Sequence, residues 1–239
     1  MVFADLQSLN LFAPLHGYGG LLLTGLWRTL FIATFSYGLG LMLGLCLALG
    51  AMAGGRGLRI GIAGYTTVLR GLPELILILL LYYAFSDALT WVLASMGFGN
   101  APLDGTQAAI IVLALVTSAY ACEVFRAGIN AVPRGQIEAG YSLGMSRITC
   151  FWRITFRSLL PNALPGLSNI WLMVVKGTSL VSIVGVTELA LAAEQGASAT
   201  KAYFAIYLAA LLLYLCVALL TLRLFRFLEQ RLRRGQVAA

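Results

Sequence analysis

Charge is scarce in this 239-residue chain: Asp, Glu, Lys and Arg together make up 10% of it. Soluble domains typically carry about a quarter. Histidine is limited to His16, and the four cysteines (Cys46, Cys122, Cys150 and Cys216) are widely spaced, with no CxxC or Cys/His ligand pattern. No metal site and no disulfide framework is therefore expected. There is no GxxxxGK[ST] phosphate loop, so the chain should not bind ATP itself. Val175-Lys176-Gly177-Thr178 ends like one but lacks the upstream glycine. Strand-like alternation is missing, which argues against a membrane barrel. No soluble domain, low-complexity linker or internal repeat is evident. The N-terminus has no basic region before its first apolar run and carries Asp5, so no cleavable signal peptide is expected.

What is present is apolar sequence, 60% of all residues. The class expected is an all-α integral membrane protein, a single transmembrane domain over residues 1–239. Five spans are predicted, at about 20–53, 60–95, 107–124, 159–186 and 202–227. They must be helices, because backbone groups in lipid need internal partners. The first, second and fourth exceed about 20 residues, so tilts, kinks or interfacial portions are expected. Gly71 and Pro73 could break the second. Gly40 and Gly44, like Gly50 and Gly54, have the GxxxG spacing of closely packed helices, within the bundle or against a partner.

The formal net charge of +7 is read as topology, not as nucleic-acid binding. Under a five-span count Arg56 and Arg59, then Arg126, Arg134, Arg147, Arg153 and Arg157, then Arg223, Arg226, Arg231, Arg233 and Arg234 all fall on one side. Asp5, Asp87, Asp104, Glu188 and Glu194 fall on the other, with Lys201. Positive residues mark the cytoplasmic face, which gives N-terminus out and C-terminus in.

The stretch from Pro133 to Pro161, PRGQIEAGYSLGMSRITCFWRITFRSLLP, is polar, arginine-rich and punctuated by glycine. Pro133 can open a helix, and Gln136 to Leu143 favour a short one. Gly144 can end it in a left-handed conformation, and Ser146 can cap a second. Two short helices joined at a glycine make a knob able to seat in a partner's groove. An ordinary solvated loop is the alternative.

Glu138-Ala139-Gly140, three residues, Gly144, nine residues and Ile154 resemble the EAA loop of ABC importer permeases. Gly140 stands for the pattern's second alanine, and Thr155-Phe156-Arg157 departs from its closing Leu-Pro. Arg70-Gly71-Leu72-Pro73-Glu74-Leu75 is similar to a signature of polar amino acid importers. So are Glu123-Val124-Phe125-Arg126, the run Ala131 to Gln136, and Lys176-Gly177-Thr178-Ser179-Leu180-Val181-Ser182. The similarity covers about Gly20 to Glu229.

This resemblance implies the type I ABC importer transmembrane fold in a bacterial inner membrane. It implies a coupling loop at about 133–157 that docks on an ATPase, with Glu138, Ala139, Gly140, Gly144, Arg147 and Ile154 at the interface. It also implies partners: two ATPase subunits carrying ATP and Mg, a second permease, expected to be a paralogue, and a periplasmic amino-acid-binding protein. The chain itself would hold no cofactor and catalyse nothing. The substrates implied are polar amino acids, cationic ones foremost, or opine conjugates.

Ionisable groups inside the spans are costly unless paired or facing a wet cavity. Lys176, Thr178, Ser179 and Ser182 with Glu74 are the candidate substrate pathway, and Thr178 and Ser182 would share one helix face. Lys176 could hold a carboxylate or neutralise Glu74. Arg70, Pro73 and Glu123 are candidates for a structural or pathway role. A stand-alone secondary transporter or channel is the alternative, though such proteins typically carry repeats. A membrane-embedded enzyme would need a nucleophile–base pair or metal cluster, which the sequence does not offer.

Overall fold

A computed structural model describes residues 15–95 and 104–233. Asp5, Arg234 and the side chain of Asp87, which entered the charge count above, lie outside what is described. The described residues are helical: α1 (Leu15–Ala53), α2 (Arg56–Gly71), α3 (Glu74–Ser95), α4 (Gly105–Asn130), α5 (Arg134–Ser142), α6 (Arg147–Cys150), α7 (Phe156–Gly177), α8 (Leu189–Thr200) and α9 (Tyr203–Arg233). A π turn, Phe151–Thr155, joins α6 to α7, and a 3-10 segment, Thr178–Val184, follows α7. Among the described residues four helices are long and apolar enough to cross a membrane, or five crossings if a bent pair counts as one.

The bent pair is α2 and α3, which meet at 117°. The span expected at 60–95 is thus broken where Gly71 and Pro73 offered a break. Pro73 has no N–H and pushes the residue before it out of the helical region. Leu72 is accordingly extended, at φ −91° and ψ 150°. Arg70 in the last turn of α2 and Glu74 in the first turn of α3 each suit the adjacent helix dipole.

Close glycine contacts set the register. A Cβ added at Gly40 would lie 2.5 Å from Thr117 Cγ2, and one at Gly44 would lie 2.5 Å from Ala121 Cβ. Both numbers rise together along the two chains, so α1 and α4 are parallel. The Gly40/Gly44 pair therefore serves packing within the chain. Gly128 meets Leu159 and Ala163, while Gly166 meets Val124, so α4 and α7 are antiparallel. Gly25 abuts Leu189 and Ala192, and Gly196 faces Tyr18 and Ile206. Thus α8 runs against both α1 and α9 and continues the direction of α7.

The segment 187–201, which reads in the sequence as a simple connection, is therefore largely helix. Leu189, Ala192, Ala193, Gly196 and Ala197 of α8 are buried against α1 and α9. The fourth crossing was expected as one span at 159–186. The apolar helical run there is Arg147–Val184, whose last seven residues are the 3-10 segment, and α8 follows it as a separate helix. Gly185 closes the 3-10 segment at φ +84°, a conformation that favours glycine.

Candidate functional site: the α5–α6 knob and two facing helix breaks

The knob after α4 is built as the sequence suggests, with one correction. Helix α5 ends in a Schellman motif. Met145 N–H donates to Gly140 O at 3.1 Å, and Gly144 N–H donates to Tyr141 O at 2.9 Å. Gly144 supplies the left-handed residue, φ +78°. Ser146 caps α6: its Oγ accepts from Thr149 N–H at 3.3 Å. The correction concerns the second helix, which is not a separate short element. It passes through the π turn into α7 without a loop, and Pro161 and Pro165 lie inside that helix. The missing Leu-Pro is where the helix simply continues.

Glu138, Ala139, Gly144 and Arg147 are exposed on the knob, Gly140 is buried and Ile154 is half-buried. A Cβ on Gly140 would lie 2.6 Å from Ile154 Cδ1 and 3.1 Å from Cys150 Sγ. Glycine at the usual alanine position thus accommodates the isoleucine. We expect Gly140→Ala to lower stability by about 1 kcal/mol, since the crowded atom ends a movable side chain. Ile154→Val removes that atom, so the double variant should regain most of the loss in a thermal unfolding midpoint. Four large apolar side chains are bare beside this joint: Tyr141 (48% exposed), Leu143 (78%), Ile148 (74%) and Trp152 (54%). Scattered single apolar residues are ordinary, but a cluster on a polar knob marks a contact surface.

Arg70 and Glu123 come together between α2 and α4. Glu123 Oε1 lies 3.1 Å from Arg126 and 3.9 Å from Arg70, and accepts from Thr66 Oγ1 at 3.2 Å. The Arg70 guanidinium also sits 5.6 Å from the Tyr120 ring centre. One carboxylate shared by two arginines is a lock between helices.

The break between α2 and α3 faces the end of α7. A Cβ on Gly177, at the end of α7, would stand 3.0 Å from Glu74 Oε1, at the start of α3. Lys176 points elsewhere. It is exposed and, with Ser179 and Tyr214, lines a cleft of about 440 Å³ between α7 and α9. Among the described residues it makes no ion pair with Glu74, so that expectation is corrected. So is the shared face of Thr178 and Ser182, because in a 3-10 segment residues three apart align instead. Thr178 is fully buried and its hydroxyl donates to Val175 O at 2.7 Å. Ser182 donates to Ser179 O at 2.6 Å, and Ser179 to Lys176 O at 2.7 Å.

Sequence reasoning missed Glu188, treating it only as a charge fixing topology. It is fully buried. Its Oε1 accepts from Ala190 N–H (2.7 Å) and Leu191 N–H (3.1 Å), capping α8. Its Oε2 accepts from Thr29 Oγ1 (3.1 Å) and Tyr214 OH (2.8 Å). Thr29 Oγ1 in turn accepts from Leu189 N–H at 3.0 Å. An acid directly before an apolar periodic run is a helix-start signal that could have found it. The neighbouring Arg28 donates to Thr187.

Comparison with known proteins fits this geometry. Residues 36–234 match the family described as binding-protein-dependent transport system inner membrane component. The histidine/lysine/arginine/ornithine transport system permease protein HisQ of Escherichia coli is 36% identical, over 92% of this chain and 97% of its own. The octopine transport system permease protein OccQ of Rhizobium meliloti is 34% identical, over 94% of each. A crystal structure of an amino acid ABC transporter with histidines superposes at TM-score 0.77 and 30% identity, covering 92% of this chain and 98% of that one. An inward-facing MetNI methionine ABC transporter shares the fold, with TM-score 0.73 at 18% identity, over 89% of this chain and 96% of that one. This chain belongs to the family of inner membrane components of binding-protein-dependent transport systems.

Proposed function

We propose that this permease imports polar amino acids, cationic ones foremost, or opine-like conjugates, delivered by a periplasmic binding protein across a bacterial inner membrane. The observation that carries the coupling role is the exposed knob at the Gly144 turn, with Tyr141, Leu143, Ile148 and Trp152 bare around it. Glu138, Ala139, Gly140, Gly144, Arg147 and Ile154 form or support the surface that docks on an ATPase. Two ATPase subunits hold ATP and Mg, and a second permease, a paralogue, completes the assembly. Closure of the ATPases draws the knobs together and biases the membrane helices between two states. The names of the relatives, which include histidine, arginine and octopine systems, support the substrate class.

Five crossings, N-terminus out and C-terminus in, fit best. The parallel register of α1 and α4 supports a return of the chain across the bilayer between them, with α2 and α3 acting as one crossing. The arginine bias places the knob on the cytoplasmic side. The facing helix ends at Glu74 and Gly177, with Lys176, Thr178, Ser179 and Ser182, border the path; Arg70, Pro73 and Glu123 hold its frame. Discontinuous helices at a path are a known way to offer backbone groups to a polar cargo.

The test is ATP hydrolysis by the complex reconstituted with its ATPase, second permease and binding protein, screened against basic amino acids and opines. Stimulation by loaded binding protein is expected with at least one of these classes. Hydrolysis indifferent to loaded binding protein would sink the importer reading, and stimulation only by other solutes would sink the substrate class.

A further inference from the structure

After the 3-10 segment Thr178–Val184 and the left-handed Gly185 the next helix, α8, is capped by a single buried carboxylate, Glu188. Glu188 is the one residue in that region that touches three helices through hydrogen bonds: its own α8 through two amides, α1 through Thr29 and α9 through Tyr214. The carboxylate is fully buried, so water competes for none of these bonds. The Thr29 hydroxyl closes the loop by accepting from Leu189 N–H. Tyr214 is also a wall of the α7–α9 cleft that holds Lys176 and Ser179. The same hydroxyl bond therefore has the α8 cap on one end and the cleft wall on the other.

We propose that Glu188 is a positioning residue for transport: it transmits the position of α8 to the cleft wall through Tyr214. The argument has three parts. The residues between α7 and Glu188 include the 3-10 segment and the left-handed Gly185, so α8 can shift relative to α7 without unwinding it. Rotation of α8 about its cap must then pull on Tyr214 or on Thr29, because the carboxylate has no other partners among the described residues. In addition, Gly25 of α1 lies tight against Leu189 and Ala192, so α8 has little room to slide on α1. A binding protein landing on the outer end of the chain, where α8 and the start of α1 lie together, is thereby read at the cleft.

The inference rests on the importer reading above. The assay is the ratio of stimulated to basal ATP hydrolysis in the reconstituted complex, with transport KM and kcat measured alongside. Tyr214→Phe keeps the α8 cap and the aromatic packing but cuts the link to Glu188. It should lower the ratio about tenfold, the usual weight of one hydrogen bond to a charged group, and act on kcat more than on KM. Glu188→Gln can turn the acceptor facing Tyr214 into a donor and should shift the ratio in the same direction, and combining it with Tyr214→Phe should add less than the two effects summed. Thr29→Val removes a buried acceptor but keeps the Tyr214 link, so it should lower the yield of folded protein more than the ratio. If Glu188→Gln fails to accumulate in the membrane, Tyr214→Phe alone decides. An unchanged ratio in Tyr214→Phe, or basal and stimulated rates falling in proportion, overturns the proposal. A wild-type complex with no stimulation at all overturns the importer reading instead.

Discussion

Gly144→Asp is expected to abolish stimulated ATP hydrolysis in the reconstituted complex while the chain still reaches the membrane in normal amount. Nothing lies within 4 Å of a Cβ built at Gly144, so the chain itself has room for the new side chain. What changes is the joint and the surface. The residue sits at φ +78°, where non-glycine residues carry a penalty of about 1–2 kcal/mol, smaller for Asp and Asn. The larger effect comes from placing a carboxylate on the turn in a stretch whose apolar side chains Tyr141, Leu143, Ile148 and Trp152 are exposed. If that surface is covered on docking, an uncompensated buried charge costs about 3 kcal/mol or more, over a hundredfold in the coupled rate. Gly144→Asn tolerates the same backbone without the charge and should lose far less. Equal losses in the Asn and Asp variants would assign the effect to the turn; full activity in both would remove the knob from the coupling machinery.

Gly44→Leu should prevent the helices from assembling. At this position a single methyl already meets Ala121 Cβ at 2.5 Å, and behind it are backbone atoms, Ser118 O at 2.9 Å and Cys122 N at 3.0 Å. Side chains can swing aside, but the α4 backbone cannot do so without separating the helix pair. Overpacking of this kind costs about 1–3 kcal/mol and more where backbone must move, a large part of a total stability of about 5–15 kcal/mol. Monodisperse protein after detergent extraction should fall severalfold. Gly38→Leu is the matched control, since nothing lies within 4 Å of its added Cβ, and it should behave as wild type. A monodisperse Gly44→Leu variant would mean that the α1–α4 contact is looser than drawn.

The knob was legible in the sequence because its signals are local. A glycine that must be left-handed and a serine that must cap leave a fixed spacing whatever surrounds them. The crossings were legible only in outline. In lipid an apolar run reads the same whether the helix is straight or bent, so the 117° corner at Leu72 was visible only as Gly71 and Pro73. The 3-10 segment from Thr178 to Val184 carried no signal of its own, and the helical spacing expected for Thr178 and Ser182 failed there. Helix α8 and Glu188 were hidden for a different reason. Charge counts assign an acid between apolar runs to the water side, yet here its own helix supplies two donors and neighbouring helices two more, and together they remove it from water. Gly140 shows the reverse case: the departure from the alanine pattern was plain, but its cause, Ile154 Cδ1, lies 14 positions away and needed coordinates.

The absence of a loop between α6 and α7 has a mechanical consequence. From Arg147 to Gly177 the backbone is one helical rod about 45 Å long, by the rise per residue. Its foot is the knob and its far end faces the break beside Glu74. Pro161 and Pro165 each remove a backbone donor, so the rod has one soft turn near its middle and stiff length on either side. A push at the foot is therefore partly absorbed as a tilt of the shaft, and the shaft pivots where Gly128 and Gly166 let it press against α4. The fulcrum lies past the middle of the rod, so Lys176 sits on the shorter arm: a stroke in the cytoplasm becomes a smaller, firmer displacement there.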